Sequence, residues 1–167
     1  MKRLLIGSDP IQKDGKIIHD LQKRKVKKMS QMRNPNQHDE ITREVPFLRD
    51  LLPVLKGNPK IIFAYIFGSY AKGKAKEGSD LDVAVWVKEP VDKLELITAL
   101  GEAVRKEVDV VILNTASPLL RHQVMRYGRV LFCKDRKELV RFKVWTMKEY
   151  EDFRWLQETY TRRRYGR

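Results

Sequence analysis

Two carboxylates, Asp80 and Asp82, stand two residues apart at the head of an apolar run, Leu81-Asp82-Val83-Ala84-Val85-Trp86-Val87. In an extended strand, side chains two positions apart point to the same face. Like charges placed side by side repel, and a divalent cation is the natural agent to compensate them. Oxygen-only ligation suits Mg2+, which is commonly held by one or two carboxylates together with substrate phosphates. A third carboxylate, Asp109, lies inside the apolar run Val108-Asp109-Val110-Val111-Ile112, where an unpaired charge is expensive. Its presence is explained if that strand lies beside the first and completes the cluster.

Upstream, Gly68-Ser69 follows the apolar run Ile61-Ile62-Phe63-Ala64-Tyr65-Ile66-Phe67. A glycine at the end of a strand lets the backbone approach a phosphate, and a helix starting there offers N–H donors. Ser69 adds a hydroxyl, and Lys72 is near enough in sequence to neutralise phosphate charge. One strand and turn thus present groups for a triphosphate, and the next two strands present metal ligands. This is a layout for in-line attack on a nucleotide phosphorus, with the metal activating the attacking oxygen and stabilising the leaving pyrophosphate. Singly, Gly-Ser is an ordinary turn and Asp-x-Asp an ordinary strand end; it is their combination and order that point to catalysis.

The elements that must position these residues follow from pattern. Glu40 to Lys56 has Val45, Leu48, Leu52 and Leu55 at helical spacing, with Asp39 as a cap, Pro46 and Pro53 as breaks, and Gly57-Asn58-Pro59 as the stop. The continuous apolar run from Ile61 reads as a strand buried on both faces. A short helix after Gly68, a strand over 80–87, a helix over 94–106 and a strand over 107–113 come next. A helix over 118–127 with Gly128 as its cap, a strand over 130–132 and a long helix from about residue 135 to 160 complete the chain. On that last helix Leu139, Phe142, Trp145, Tyr150, Phe153, Leu156 and Tyr160 gather on one side, to pack on the core or on a neighbouring subunit; Val140, Val144, Met147 and Trp155 fall opposite.

Gly68-Ser69-Tyr70-Ala71-Lys72-Gly73 followed by Ser79-Asp80-Leu81-Asp82-Val83 resembles the signature of the DNA-polymerase-β-like nucleotidyltransferase superfamily. Within it the motif is most similar to the minimal nucleotidyltransferases, the MNT or MntA-type antitoxins. The resemblance covers residues 60–134, and it includes the spacing between the two halves of the motif. It implies an α+β fold, a mixed β-sheet packed with helices. It implies catalysis and the binding of two Mg2+ ions by Asp80, Asp82 and Asp109, nucleotide binding by Gly68, Ser69, Lys72 and Ser79, and ATP as the nucleotide donor. It also implies a partner, a HEPN-family toxin whose tyrosine receives AMP. Lys72 departs from the pattern, because arginine is common there; the charge is kept but a bidentate grip on phosphate is lost. Transfer to RNA or a small molecule, and a non-catalytic binding module, are the alternative functions.

The remaining composition sets bounds. Formal net charge is +13, a surface that attracts phosphates, nucleic acid or an acidic partner. The charge is concentrated at the ends: residues 1–59 hold 13 basic and 7 acidic side chains and residues 134–167 hold 11 and 6, against 11 and 9 between them. By pattern and resemblance the chain is expected to comprise a basic, poorly structured N-terminal extension over 1–38, a nucleotidyltransferase domain over 39–134, and a long helix with a basic tail over 135–167. RNA on that tail, at Arg162-Arg163-Arg164-Tyr165, and a homodimer are secondary expectations. Cys133 is the single cysteine, which excludes an internal disulfide or a cysteine-rich metal site. No apolar run approaches the roughly 20 residues of a membrane span, and Leu4-Leu5-Ile6 is too short for a secretory signal. A cytoplasmic protein without a membrane partner is expected.

Overall fold

The computed structural model describes residues 37–165. Apart from its last two residues, the expected N-terminal extension, with its basic run at 23–28 and the alternative starts at Met29 and Met32, lies outside them. Four strands, β1 (Ile61–Ile66), β2 (Leu81–Val87), β3 (Val108–Ile112) and β4 (Arg129–Cys133), form one mixed sheet in the order β3-β2-β1-β4. β1 runs antiparallel to both β2 and β4, and β2 runs parallel to β3. The helices are α1 (Gln37–Glu44), α2 (Leu51–Gly57), α3 (Gly68–Ala71), α4 (Lys93–Val104), α5 (Pro118–Tyr127) and α6 (Arg136–Tyr165). The architecture is the α+β arrangement expected, a mixed sheet packed with helices.

The sheet is covered on both faces, which is why β1 reads as an unbroken apolar run. Ile61, Ala64 and Ile66 of β1, with Leu81, Val83 and Val85 of β2, face a layer containing Ile41, Leu51, Leu55, Leu96 and Leu100 from α1, α2 and α4. Phe63, Tyr65, Ala84 and Trp86 face the other layer, where α5 and α6 supply Val124, Leu139 and Phe142. Trp86 seats α6: its ring stacks on Phe63 at 6.0 Å and meets Phe142 at 5.2 Å and Trp145 at 5.8 Å. Further along α6, buried Arg121 of α5 lies 4.0 Å from the Trp145 ring and is paired with Glu149 at 2.5 Å. His122 stacks flat on Tyr150 at 3.7 Å, so it serves packing, and burial together with the Arg126 charge lowers its pKa.

The caps account for most element ends. Asp92 accepts from the N–H groups of Leu94 and Glu95, Ser117 from that of Leu120, and Asp135 from those of Lys137 and Glu138. Four details differ from the sequence pattern. The helix expected over 40–56 is divided into α1, a 3-10 turn at Pro46–Asp50, and α2; Pro46 enforces the break, while Pro53 falls in the first turn of α2, where a missing N–H costs nothing. α1 already begins at Gln37, so Asp39 lies inside it and does not cap it. α4 stops at Val104 because Arg105 turns left-handed, with φ 52°. The expected apolar side of α6 holds for Leu139 and Phe142, which are buried, whereas Leu156 and Tyr160 are exposed, as are Val140, Val144 and Trp155 opposite.

Two polar devices brace the sheet at its ends. At the end where β2 finishes, the Asn114 side-chain amide accepts from Val87 N–H at 3.0 Å and donates to the Val87 carbonyl at 2.9 Å, extending the ladder by one rung. At the opposite end, Arg129 of β4 makes a two-pronged ion pair with Glu44 of α1 and reaches Glu40 at 3.8 Å. Gly128 is needed beside it for close approach and not for a left-handed turn, since its φ is −75°. A Cβ there would stand 2.4 Å from the Val124 carbonyl oxygen and 3.1 Å from that of Ile66. Gly128→Ala is therefore expected to destabilise the protein by about 1–3 kcal/mol through overpacking, measured as a lower urea midpoint at unchanged m; an unaltered midpoint would show that α5 can shift away from β1 freely.

Candidate active site

The parallel ladder between β2 and β3 sets Asp82 directly opposite Asp109. Alternation decides which face they share. Leu81, Val83 and Val85 point into one core layer and Ala84 and Trp86 into the other, so Asp82 lies on the α5–α6 side. Val108 and Val110 face the first layer and Val111 the second, so Asp109 lies on that same side. Neighbouring strands are about 4.8 Å apart, which brings the two carboxylates together across 27 residues of chain. Asp80 stands just ahead of β2, which begins at Leu81, one residue later than its pattern suggested. The Leu81 N–H donates to the Glu107 carbonyl at 2.9 Å and anchors that approach.

Gly68 closes the group from the other side. Its φ is +65°, and an added Cβ would fall 1.9 Å from Oδ2 of Asp82 and 2.8 Å from its Cγ. The backbone of the turn therefore lies directly on the Asp82 carboxylate, and a side chain has neither the space nor the conformation there. Phe67 N–H donates to the Asp82 carbonyl at 3.0 Å, carrying the β1–β2 ladder up to the turn. α3 starts immediately, and the first turn of a helix leaves N–H groups without intrahelical partners. The backbone of a helix-starting turn and an acidic side chain are thus in contact at one end of the two central strands.

Electrostatics single out Asp82. It is half-buried, and its pKa is raised first by desolvation, then by the charges of Asp109 and Asp80. Asp109 was expected to carry the cost of burial, but it is exposed, as is Asp80. Asp109 sits where the strand meets solvent, and the desolvated member is the one under Gly68. Among the described residues no group of three Asp, Glu, His or Cys side chains is drawn together tightly enough to hold a metal by protein ligands alone. The donor set, carboxylate oxygens that repel one another, nevertheless fits a hard divalent cation whose remaining ligands come from a substrate.

The other residues singled out are placed differently. Ser69 lies in α3, next to Gly68, and its carbonyl accepts from Lys74 N–H at 2.9 Å. Ser79 closes the loop that follows: its Oγ accepts from Lys76 N–H at 2.8 Å, and its carbonyl accepts from the Tyr70 hydroxyl at 3.4 Å. Ser79 thereby positions the chain that delivers Asp80. Lys72 ends α3 with its ammonium 5.9 Å from the centre of the Tyr127 ring. Tyr127 had no signal in the sequence, since it is one aromatic at the end of an amphipathic helix; only the sheet order brings it beside the turn.

The raised pKa of Asp82 has a consequence for the metal-free protein. Between the ordinary aspartate value and the raised one, the folded chain binds more protons than the unfolded chain. Stability contributed by this group therefore falls as pH rises through that window, and the cost is complete above it. Asp82→Asn removes the charge and is expected to raise Tm at neutral pH without divalent ions by on the order of 2 °C. The gain should vanish below about pH 3, under the ordinary aspartate range. A lower Tm at neutral pH would mean that the carboxylate is held by stabilising partners and not crowded by like charge.

The arrangement agrees with comparisons to known proteins. The family model described as polymerase beta, nucleotidyltransferase matches residues 49–137. The protein adenylyltransferase MntA of Shewanella oneidensis is 36% identical over 86 residues, which are 49% of this chain and 62% of that protein. The chain thus spans less than two thirds of that relative's length. Among solved structures, a chain of a toxin–antitoxin crystallised with AMP-PNP superposes with a TM-score of 0.62 at 30% identity, over 67% of this chain and 93% of the other. A chain from the complex of the tri-AMPylated Shewanella oneidensis HEPN toxin with its MNT antitoxin gives 0.53 at 28% identity, over 74% and 93%. With the family model spanning more than half its length, and the Gly-Ser turn resting on the first strand pair's carboxylate, the chain belongs to the polymerase beta nucleotidyltransferase family and resembles its MNT type.

Proposed function

We propose that this chain is a magnesium-dependent nucleotidyltransferase that moves AMP from ATP to a tyrosine of a partner HEPN-type toxin, and so acts as an antitoxin. The observation that carries the reading is the contact of Gly68 with the Asp82 carboxylate, in register with Asp109. It puts the groups suited to phosphate and the groups suited to a cation within one nucleotide's reach. The acceptor and the toxin rest on similarity to the adenylyltransferase and to the antitoxin complexed with an AMPylated HEPN toxin.

In this mechanism the Gly68-Ser69 turn receives the β- and γ-phosphates on backbone N–H groups and the Ser69 hydroxyl, and Lys72 offsets their charge. Asp80, Asp82 and Asp109 would hold two Mg2+ ions. When bound, these supply Lewis-acid stabilisation of the phosphate charge and favour the ionised form of the attacking hydroxyl. Asp82, desolvated beneath Gly68, keeps its carboxylate fixed relative to the phosphate turn. Asp109, exposed at the strand end, is open to an arriving hydroxyl and would take its proton. The tyrosine oxygen bonds to the α-phosphorus as the bond to the β-phosphate oxygen breaks, and pyrophosphate leaves.

The test is incubation of the full chain with labelled ATP and magnesium, with either a purified HEPN toxin or RNA. Label is expected on the toxin, and none when magnesium is chelated. Asp80→Asn and Asp82→Asn should each lower transfer roughly 100-fold or more while the fold persists. Gly68→Val should abolish ATP binding. Label on RNA would reassign the acceptor, and normal transfer by either aspartate variant would remove the metal assignment.

A further inference from the structure

One aromatic ring at the rim of the site holds two cations. The Lys72 ammonium is 5.9 Å from the Tyr127 ring centre, and the Arg126 guanidinium carbon is 5.6 Å from it. Tyr127 is itself 53% exposed, so this is a surface arrangement open to a ligand. Its backbone is placed by Gly128, whose N–H donates to the Val124 carbonyl and where an added Cβ would press on the Val124 and Ile66 carbonyls. Ile66 pairs with Arg129 on one side and with Val83 on the other, two residues before Gly68. Along this edge of the sheet the order is therefore Asp109, Asp82, the Gly68-Ser69 turn, and then Tyr127 with its two cations. The carboxylates and the cations stand on opposite sides of the phosphate turn.

This polarity matches a triphosphate lying along the edge, with its α-phosphate toward the carboxylates and its terminal phosphates toward Lys72. Lysine offers a point charge, whereas the planar guanidinium fork can bond two phosphate oxygens at once. Resting on the proposed nucleotidyltransferase function, we infer that Arg126 supplies the guanidinium grip on the β- and γ-phosphates, and on the departing pyrophosphate, that Lys72 cannot. Tyr127 holds both cations by cation–π attraction, which leaves their charge available to phosphate. Arg126 substitutes in space for a fork that is absent from the sequence position of Lys72.

The test is calorimetric titration of the full chain with ATP, with inorganic pyrophosphate and with AMP, all with magnesium. Arg126→Gln should weaken ATP and pyrophosphate about 10- to 100-fold, the range for a charge-assisted hydrogen bond, and leave AMP unchanged. Restoring the fork from the other side, Lys72→Arg in the Arg126→Gln background should recover most of the loss. Unchanged ATP and pyrophosphate affinity in Arg126→Gln would overturn the inference. So would an equal loss for AMP, or no recovery in the double variant, because Arg126 would then act through the fold. Absence of ATP binding by the unaltered chain would instead overturn the proposed function.

Discussion

The contact between the Gly68 backbone and the Asp82 carboxylate joins everything else at the site. It forces a left-handed glycine at the end of β1 and determines where α3 begins. It also takes Asp82 out of water beside two other carboxylates, which is an unfavourable arrangement by itself. The fold tolerates it because both strands under the turn are buried: Ile66 and Val83 are fully enclosed and the ladder continues to Phe67. Strain and repulsion are thus placed at one end of two strands whose neighbouring residues are buried and apolar.

The distribution of labour across the sheet is orderly. The layer of α1, α2 and α4 packs on the alternate residues of β1, β2 and β3 and contains no residue of the site. The other layer has aromatic packing toward one edge, where Trp86 and Phe142 seat α6, and the carboxylates at the opposite edge. α5 runs between the two. It starts at the Ser117 cap near the end of β3 and finishes at Tyr127, beside Lys72 of the Gly68-Ser69 turn's helix. Its buried Arg121 ties it to α6 through Glu149, and its last turn carries Arg126 and Tyr127.

Much of this was legible in the sequence, and the parts that were not share a cause. The strands were legible because apolar runs bounded by turns leave few alternatives, and the carboxylates because a charge in such a run needs a reason. The register of Asp82 with Asp109 was inferable from the need to gather charge, though not from either strand alone. The exposure of Asp109, the loop-closing role of Ser79 and the ring shared by Lys72 and Arg126 were not legible. The first and the last depend on which strand neighbours which, and sequence periodicity reports the face of a residue but not its position across the sheet, whereas Ser79 depends on the path of a loop that has no periodicity. Pro46 was correctly a break, while Pro53 was harmless because a helix had just begun.

Arg129 pairs with Ile66 in the ladder, so its ion pairs with Glu44 and Glu40 lie close to the same edge that carries the site. Glu44 is exposed, and its lowered pKa comes from Arg129. Dissolved ions screen such a surface brace over about 8–10 Å at ordinary ionic strength. They act also on Lys72, which is exposed, and more strongly there than on the Arg129 side chain, which is largely enclosed. Ionic strength therefore acts on this edge twice, loosening the hold of α1 on β4 while weakening attraction for a polyanion.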